Sequence, residues 1–77
     1  MKVEEVKKTL VGKRCKAILF SNLEPGVITQ IEDNSQEVRV HVEFDEPVTW
    51  GNGYFRRCTN FARKEDGFGS LQHLILI

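Results

Sequence analysis

The sequence predicts a mainly β fold: a small, strongly bent antiparallel barrel of five to six strands with a short N-terminal helix. Three observations lead there. Val38, Val40, Val42 and Phe44 alternate strictly with Arg39, His41 and Glu43, the pattern of a strand with one face in a core and the other in water. Short apolar runs recur between clusters with turn chemistry: Glu24-Pro25-Gly26, "EDNSQ" at 32–36, Gly51-Asn52-Gly53 and "KEDGFGS" at 64–70. Finally, the 77 residues form one domain, 1–77, and in so small a β domain closing the sheet hides its edges.

Taken in order, Val3, Val6 and Leu10 recur at helical spacing with Glu4, Glu5, Lys7 and Lys8 between them, which predicts an amphipathic helix near residues 3 to 11. Gly12 stands where a left-handed residue would stop it. The period then changes to that of a strand, with Cys15, Ala17 and Leu19 on one face and Lys16, Ile18 and Phe20 on the other. Glu24-Pro25-Gly26 suits a type II turn, Pro fixing one φ and Gly supplying the positive φ after it, and Val27 to Glu32 form the next strand. Pro47 ends regular pairing of the strand that follows, or puts its continuation at an edge. Gly51-Asn52-Gly53 closes a hairpin led in by Pro47 to Trp50 and led out by Tyr54 to Ala62. Phe68 lies between two glycines in the next turn, and "LQHLILI" at 71–77 reads as a last apolar strand. The expected core is Val6, Leu10, Ile18, Val27, Val40, Val42, Phe44, Phe61 and Leu74.

The segment "PGVITQIEDNSQEVRVHVEFDEP", residues 25–47, resembles the second and third strands of SH3-like barrels of the Tudor and KOW kind, where a Gly-Val-Ile strand precedes a Val-x-Val-x-Phe-Asp strand. The resemblance covers under a third of the chain. It implies a superfold and no particular activity, because superfolds host unrelated functions.

Net charge is zero, yet unevenly distributed: +4 over residues 1–20 (six cations, two acids), −6 over 21–46 (one cation, seven acids) and +2 over 47–77 (four cations, two acids). That balance removes the bulk attraction most nucleic-acid binders use. The N-terminus mixes both signs without an apolar run of signal-peptide length, and no span reaches transmembrane length, so a cytoplasmic protein with reduced Cys15 and Cys58 and no membrane partner is expected.

No metal, cofactor or catalytic residue is expected. Cys15, Cys58, His41 and His73 lack the close-paired spacing of structural zinc ligands. A Cys58–histidine nucleophile has no local signature, and Asp45 and Glu46, as strand neighbours, point to opposite faces.

The remaining candidate is the aromatic and basic stretch "TWGNGYFRRCTNFARK". Trp50, Tyr54, Arg56, Arg63 and Lys64 are its expected binding residues, with Phe55 and Phe61 turned to the core. Exposed rings beside guanidinium groups could stack a base or clasp a peptide; a tryptophan beside a glycine turn could equally cap the barrel. The expected function is a non-catalytic binding module for a peptide or partner protein. The alternatives are a nucleic-acid-binding barrel, or an accessory subunit that pairs through the uncharged C-terminal strand "LILI".

Overall fold

The computed structural model describes Val6, residues 10–67 and residues 69–77. Among them lie five strands: β1 Arg14–Leu19, β2 Asn22–Asp33, β3 Glu37–Trp50, β4 Gly53–Arg63 and β5 Ile75–Leu76, with a 3-10 helix at Gly69–His73 between the last two. They form one antiparallel sheet in the order β4-β3-β2-β1-β5. The sheet is open, with β4 and β5 as its outer strands, so backbone pairing does not complete the expected barrel. The expected helix lies largely outside the described residues. At its end Gly12 has φ 90°, and its amide donates to Ile28 O at 2.7 Å.

The alternation in β3 places Val38, Val40, Val42 and Phe44 inward, where they form the core with Cys15, Ala17, Ile28, Ala62, Leu71 and Leu74. Val6 and Leu10 pack against this core from the chain start. Asn34 folds the β2–β3 turn, its Oδ1 accepting from the amides of Gln36 and Glu37, both at 2.8 Å. Pairing of β3 with β4 breaks between Glu43 and Val48, and Pro47, which cannot donate to a ladder, falls in that break.

Several expectations are overturned. Glu24-Pro25-Gly26 is no turn: the chain reverses earlier, at Phe20-Ser21, and Pro25 sits inside β2 opposite Lys16. Proline fits there because the β2–β3 ladder begins only at Gly26, opposite Phe44. A Cβ on Gly26 would lie 2.5 Å from Glu43 O and 2.8 Å from Val42 Cγ1, so glycine serves close strand approach instead of a bend. Ile18, Val27 and Phe61 are not core residues. Cys15 and Ala17 turn inward in β1, Gly26 and Ile28 in β2, Asn60 and Ala62 in β4, while Phe61 is 49% exposed. Small side chains take the inner face where the sheet bends over itself, and a register shift between Ile28 and Gln30 changes the phase of β2. The C-terminal strand shrinks to two residues because Leu71 and Leu74, three apart, are both buried from a 3-10 turn whose side chains eclipse at that spacing.

Asn60 is the one buried polar residue among those described, at 2% exposure. Its amide bridges β4 to β1: the Ile18 amide donates to Oδ1 at 3.3 Å, and Nδ2 donates to Ile18 O at 3.2 Å. On the same edge of β1, Ile77 donates its amide to Arg14 O and Lys16 pairs with Ile75. Where β5 runs out, the side chain of Asn60 takes over as a surrogate peptide group.

Candidate functional site

Two hairpin tips meet at one end of the molecule. The β3–β4 turn is Gly51-Asn52, flanked by paired Trp50 and Gly53, with Gly51 at φ 56° as a two-residue hairpin requires. The β1–β2 turn is Phe20-Ser21, flanked by paired Leu19 and Asn22. Both of its central residues hold positive φ, 49° and 67°, although neither is glycine. That backbone costs a bulky L residue about 1–3 kcal/mol.

The turn delivers the Phe20 ring to the other tip. Phe20 stacks on Trp50 with centroids 5.1 Å apart and planes 17° from parallel, and meets Phe55 edge-on at 5.0 Å. A Cβ on Gly53 would lie 2.5 Å from the Phe55 ring, so glycine there admits the ring beside the turn. Tyr54 faces outward, with the Arg56 guanidinium 5.6 Å from its ring centroid. Trp50 is 55% and Tyr54 60% exposed, while Phe20 and Leu23 are each more than a third exposed. The result is a cluster of Phe20, Trp50 and Phe55 on one face of the β3–β4 hairpin, with Tyr54 and Arg56 paired on its other face.

Of the five expected binding residues, the structure places Trp50, Tyr54 and Arg56 at this end of the hairpin, Tyr54 and Arg56 together and Trp50 on the opposite face. Arg63 and Lys64 sit at the far end of β4, about 30 Å along an extended strand. There they line a polar groove of about 590 Å³ with Asn34, Ser35, Gln36, Glu37 and Glu65, and Lys64 Nζ pairs with Asp33 Oδ1 at 2.7 Å. Phe20 belongs to the aromatic surface and is missing from the sequence expectation, since nothing in "LFSN" carries the glycine of a positive-φ turn. Phe61, expected in the core, faces out near the 3-10 helix, where Ser70 Oγ accepts from its amide at 2.7 Å and donates to its carbonyl at 3.0 Å.

Glu24, Pro25, Asp45 and Glu46 line a smaller acidic hollow of about 250 Å³. The Arg14 guanidinium binds Asp45 through both nitrogens and holds its carboxyl below the usual range. Cys15 and Cys58 are free thiols, Cys15 buried in the core and Cys58 partly buried against it. Burial raises both, and Cys58 reaches about 11, so neither is a ready thiolate. His41 lies on the outer sheet face and His73 in the 3-10 helix, so these histidines and cysteines do not converge. Among the described residues no group of three or more His, Cys, Asp or Glu is placed to hold a metal, and no helix is long and apolar enough to cross a membrane.

Residues 1–76 match the family model of a domain of unknown function, DUF7258, and the chain belongs to that family. No curated protein and no solved structure matches it.

Proposed function

We propose that this member of the DUF7258 family is a non-catalytic binding module that recognises an extended peptide segment of a partner protein through the hairpin end that carries Phe20, Trp50 and Phe55 on one face and Tyr54 and Arg56 on the other. The observation that carries the reading is Phe20 itself. Its positive-φ backbone costs about 1–3 kcal/mol, and its two ring contacts, on Trp50 and Phe55, each return about 0.5–1.5 kcal/mol beyond area burial. The contacts about offset the strain, yet they leave Phe20 40% and Trp50 55% exposed. Asn-Gly would close the same turn without cost, so the ring is held out for something that covers it. Exposed Trp, Tyr and Arg side chains are the types that dominate interface energetics. Trp50 and Phe20 offer a flat stack for a proline or aromatic side chain, and Arg56, ordered over Tyr54 on the other face, offers donors to a carboxylate of a segment that passes round the hairpin.

We read the open sheet as an SH3-like barrel in its finer description. Supporting this are the β1–β4 meander, the 3-10 helix before β5, the return of β5 onto β1 and the Asn60 bridge between β1 and β4. A cytoplasmic setting agrees with the free thiols Cys15 and Cys58.

Selection from a displayed random-peptide library tests the reading, with wild type as bait and Trp50→Ala as counter-bait. Enrichment of ring- or proline-containing peptides on wild type alone is expected, and failure to enrich any sequence refutes it. A single-stranded oligonucleotide serves as competitor. If it binds at the same surface, with affinity falling steeply as salt rises, the nucleic-acid reading replaces this one. A second reading draws on β5, where Ile75, Leu76 and Ile77 are consecutive, apolar and exposed, as in an accessory subunit that pairs along that edge. A concentration-independent monomer mass, with no peptide enriched through β5, removes it.

A further inference from the structure

On the outer face of the sheet, away from the core, three adjacent strands each contribute one member of a hydrogen-bonded chain. His41 of β3 lies directly opposite Thr59 of β4, and His41 Nδ1 is 2.9 Å from Thr59 Oγ1. On its other side His41 Nε2 is 3.2 Å from Glu32 Oε2 of β2. A carboxylate can only accept, so Nε2 carries the proton; in the neutral ring Nδ1 is then the acceptor and the Thr59 hydroxyl its donor. Thr29 Oγ1 also donates to His41 O at 3.3 Å, which fixes the β3 backbone at the imidazole. A hydroxyl donating to a base whose opposite edge is held by an orienting carboxylate is the arrangement that activates an oxygen nucleophile.

We propose that Thr59 is a nucleophilic hydroxyl that accepts an acyl group from activated carboxylic esters, with His41 as its general base and Glu32 as the positioning residue. Thr59 Oγ1 attacks the acyl carbon as its proton passes to His41 Nδ1. The bond from that carbon to the leaving oxygen breaks, and the departing alcohol takes the proton back from His41. The products are a threonine ester and a free alcohol, with no oxidant or further reactant. Two residues along the same face, Arg57 of β4 stands directly opposite Glu43 of β3. The face is open to solvent and Thr59 exposed, so the donor must bring a good leaving group, an aryl ester being the simplest. This site is independent of the aromatic surface and does not rest on the peptide-binding reading.

Treating the full chain with p-nitrophenyl acetate, followed by peptide mapping, tests the proposal. One acetyl group is expected on the peptide containing Thr59, removable by hydroxylamine as an ester and not as an amide. General-base catalysis sets the expected scale: His41→Gln slows labelling about 100-fold, Glu32→Gln slows it about 10-fold, and urea-unfolded wild type loses it. Thr59→Val abolishes the ester and Thr59→Ser retains it. Acetyl found only on amines overturns the proposal, as does an equal Thr59 rate in folded and urea-unfolded wild type or in His41→Gln.

Discussion

Replacing Asn60 by alanine removes the only side-chain bridge between β1 and β4 among the described residues. Two hydrogen bonds vanish, at 3.3 and 3.2 Å, together with the partners of the Ile18 N–H and C=O at a point the core covers. Each bond is worth about 1 kcal/mol net, and a stranded backbone group costs about 1–3 kcal/mol, so a loss of about 2–4 kcal/mol is expected. A 77-residue domain holds roughly 4–12 kcal/mol in all. The melting temperature should therefore fall by about 10–25 °C, read by far-UV circular dichroism alongside a urea titration. Asn60→Asp keeps the acceptor for the Ile18 amide and turns a carboxylate oxygen toward the Ile18 carbonyl. Burial beside that carbonyl raises the folded-state pKa of the new carboxyl, so its stabilising neutral form is fully present below the unfolded value of about 3.9 and lost as pH rises through the folded value. The deficit of Asn60→Asp against wild type should accordingly shrink in acid, while that of Asn60→Ala stays level. A loss below about 0.5 kcal/mol for Asn60→Ala would refute the surrogate-peptide role.

Further outcomes follow from particular positions. Ser21→Gly relieves a positive-φ residue at φ 67° and should raise stability by about 0.5–1 kcal/mol in urea melts, leaving the Trp50 emission spectrum unchanged. Gly26→Ala drives a methyl into Glu43 O and Val42 and should cost about 2–4 kcal/mol in the same assay. The Cys58 thiol, raised by burial from 9.0 to about 11, stabilises the fold fully below pH 9 and loses that contribution as pH climbs to about 11. Because Cys58 is only partly buried, wild type should then lose about 1–2 kcal/mol over that window relative to Cys58→Ser, measured by urea titration at each pH.

The parts of this fold legible in the sequence are those where one rule acts alone. In β3 strict alternation left one choice of face, and Gly51-Asn52-Gly53 admitted one kind of turn. β1 and β4 are apolar or mixed on both faces, so alternation could not say that Cys15, Ala17, Asn60 and Ala62 point inward. Curvature decides that, by selecting small side chains for the concave side, and curvature is a property of the assembled sheet. The Phe20-Ser21 turn was illegible for the opposite reason, since it breaks the local rule that positive φ belongs to glycine or asparagine. For the candidate surface, Trp50, Tyr54 and Arg56 were legible as exposed residues flanking a turn. Sequence proximity wrongly joined Arg63 and Lys64 to them, because an extended strand carries neighbours in sequence far apart in space. The Glu32–His41–Thr59 chain draws on three strands in register, which no local pattern reveals.

The aromatic surface is tested most directly by two-dimensional NMR of the labelled protein titrated with a peptide enriched on wild type. Saturable shifts of the Trp50 indole N–H and of the amides of Ser21, Asn52, Tyr54 and Arg56, persisting at high salt and lost in Trp50→Ala, are the predicted result. Shifts confined to residues 34–37 and 63–65, or to β5, with the Trp50 indole unmoved, would contradict the account.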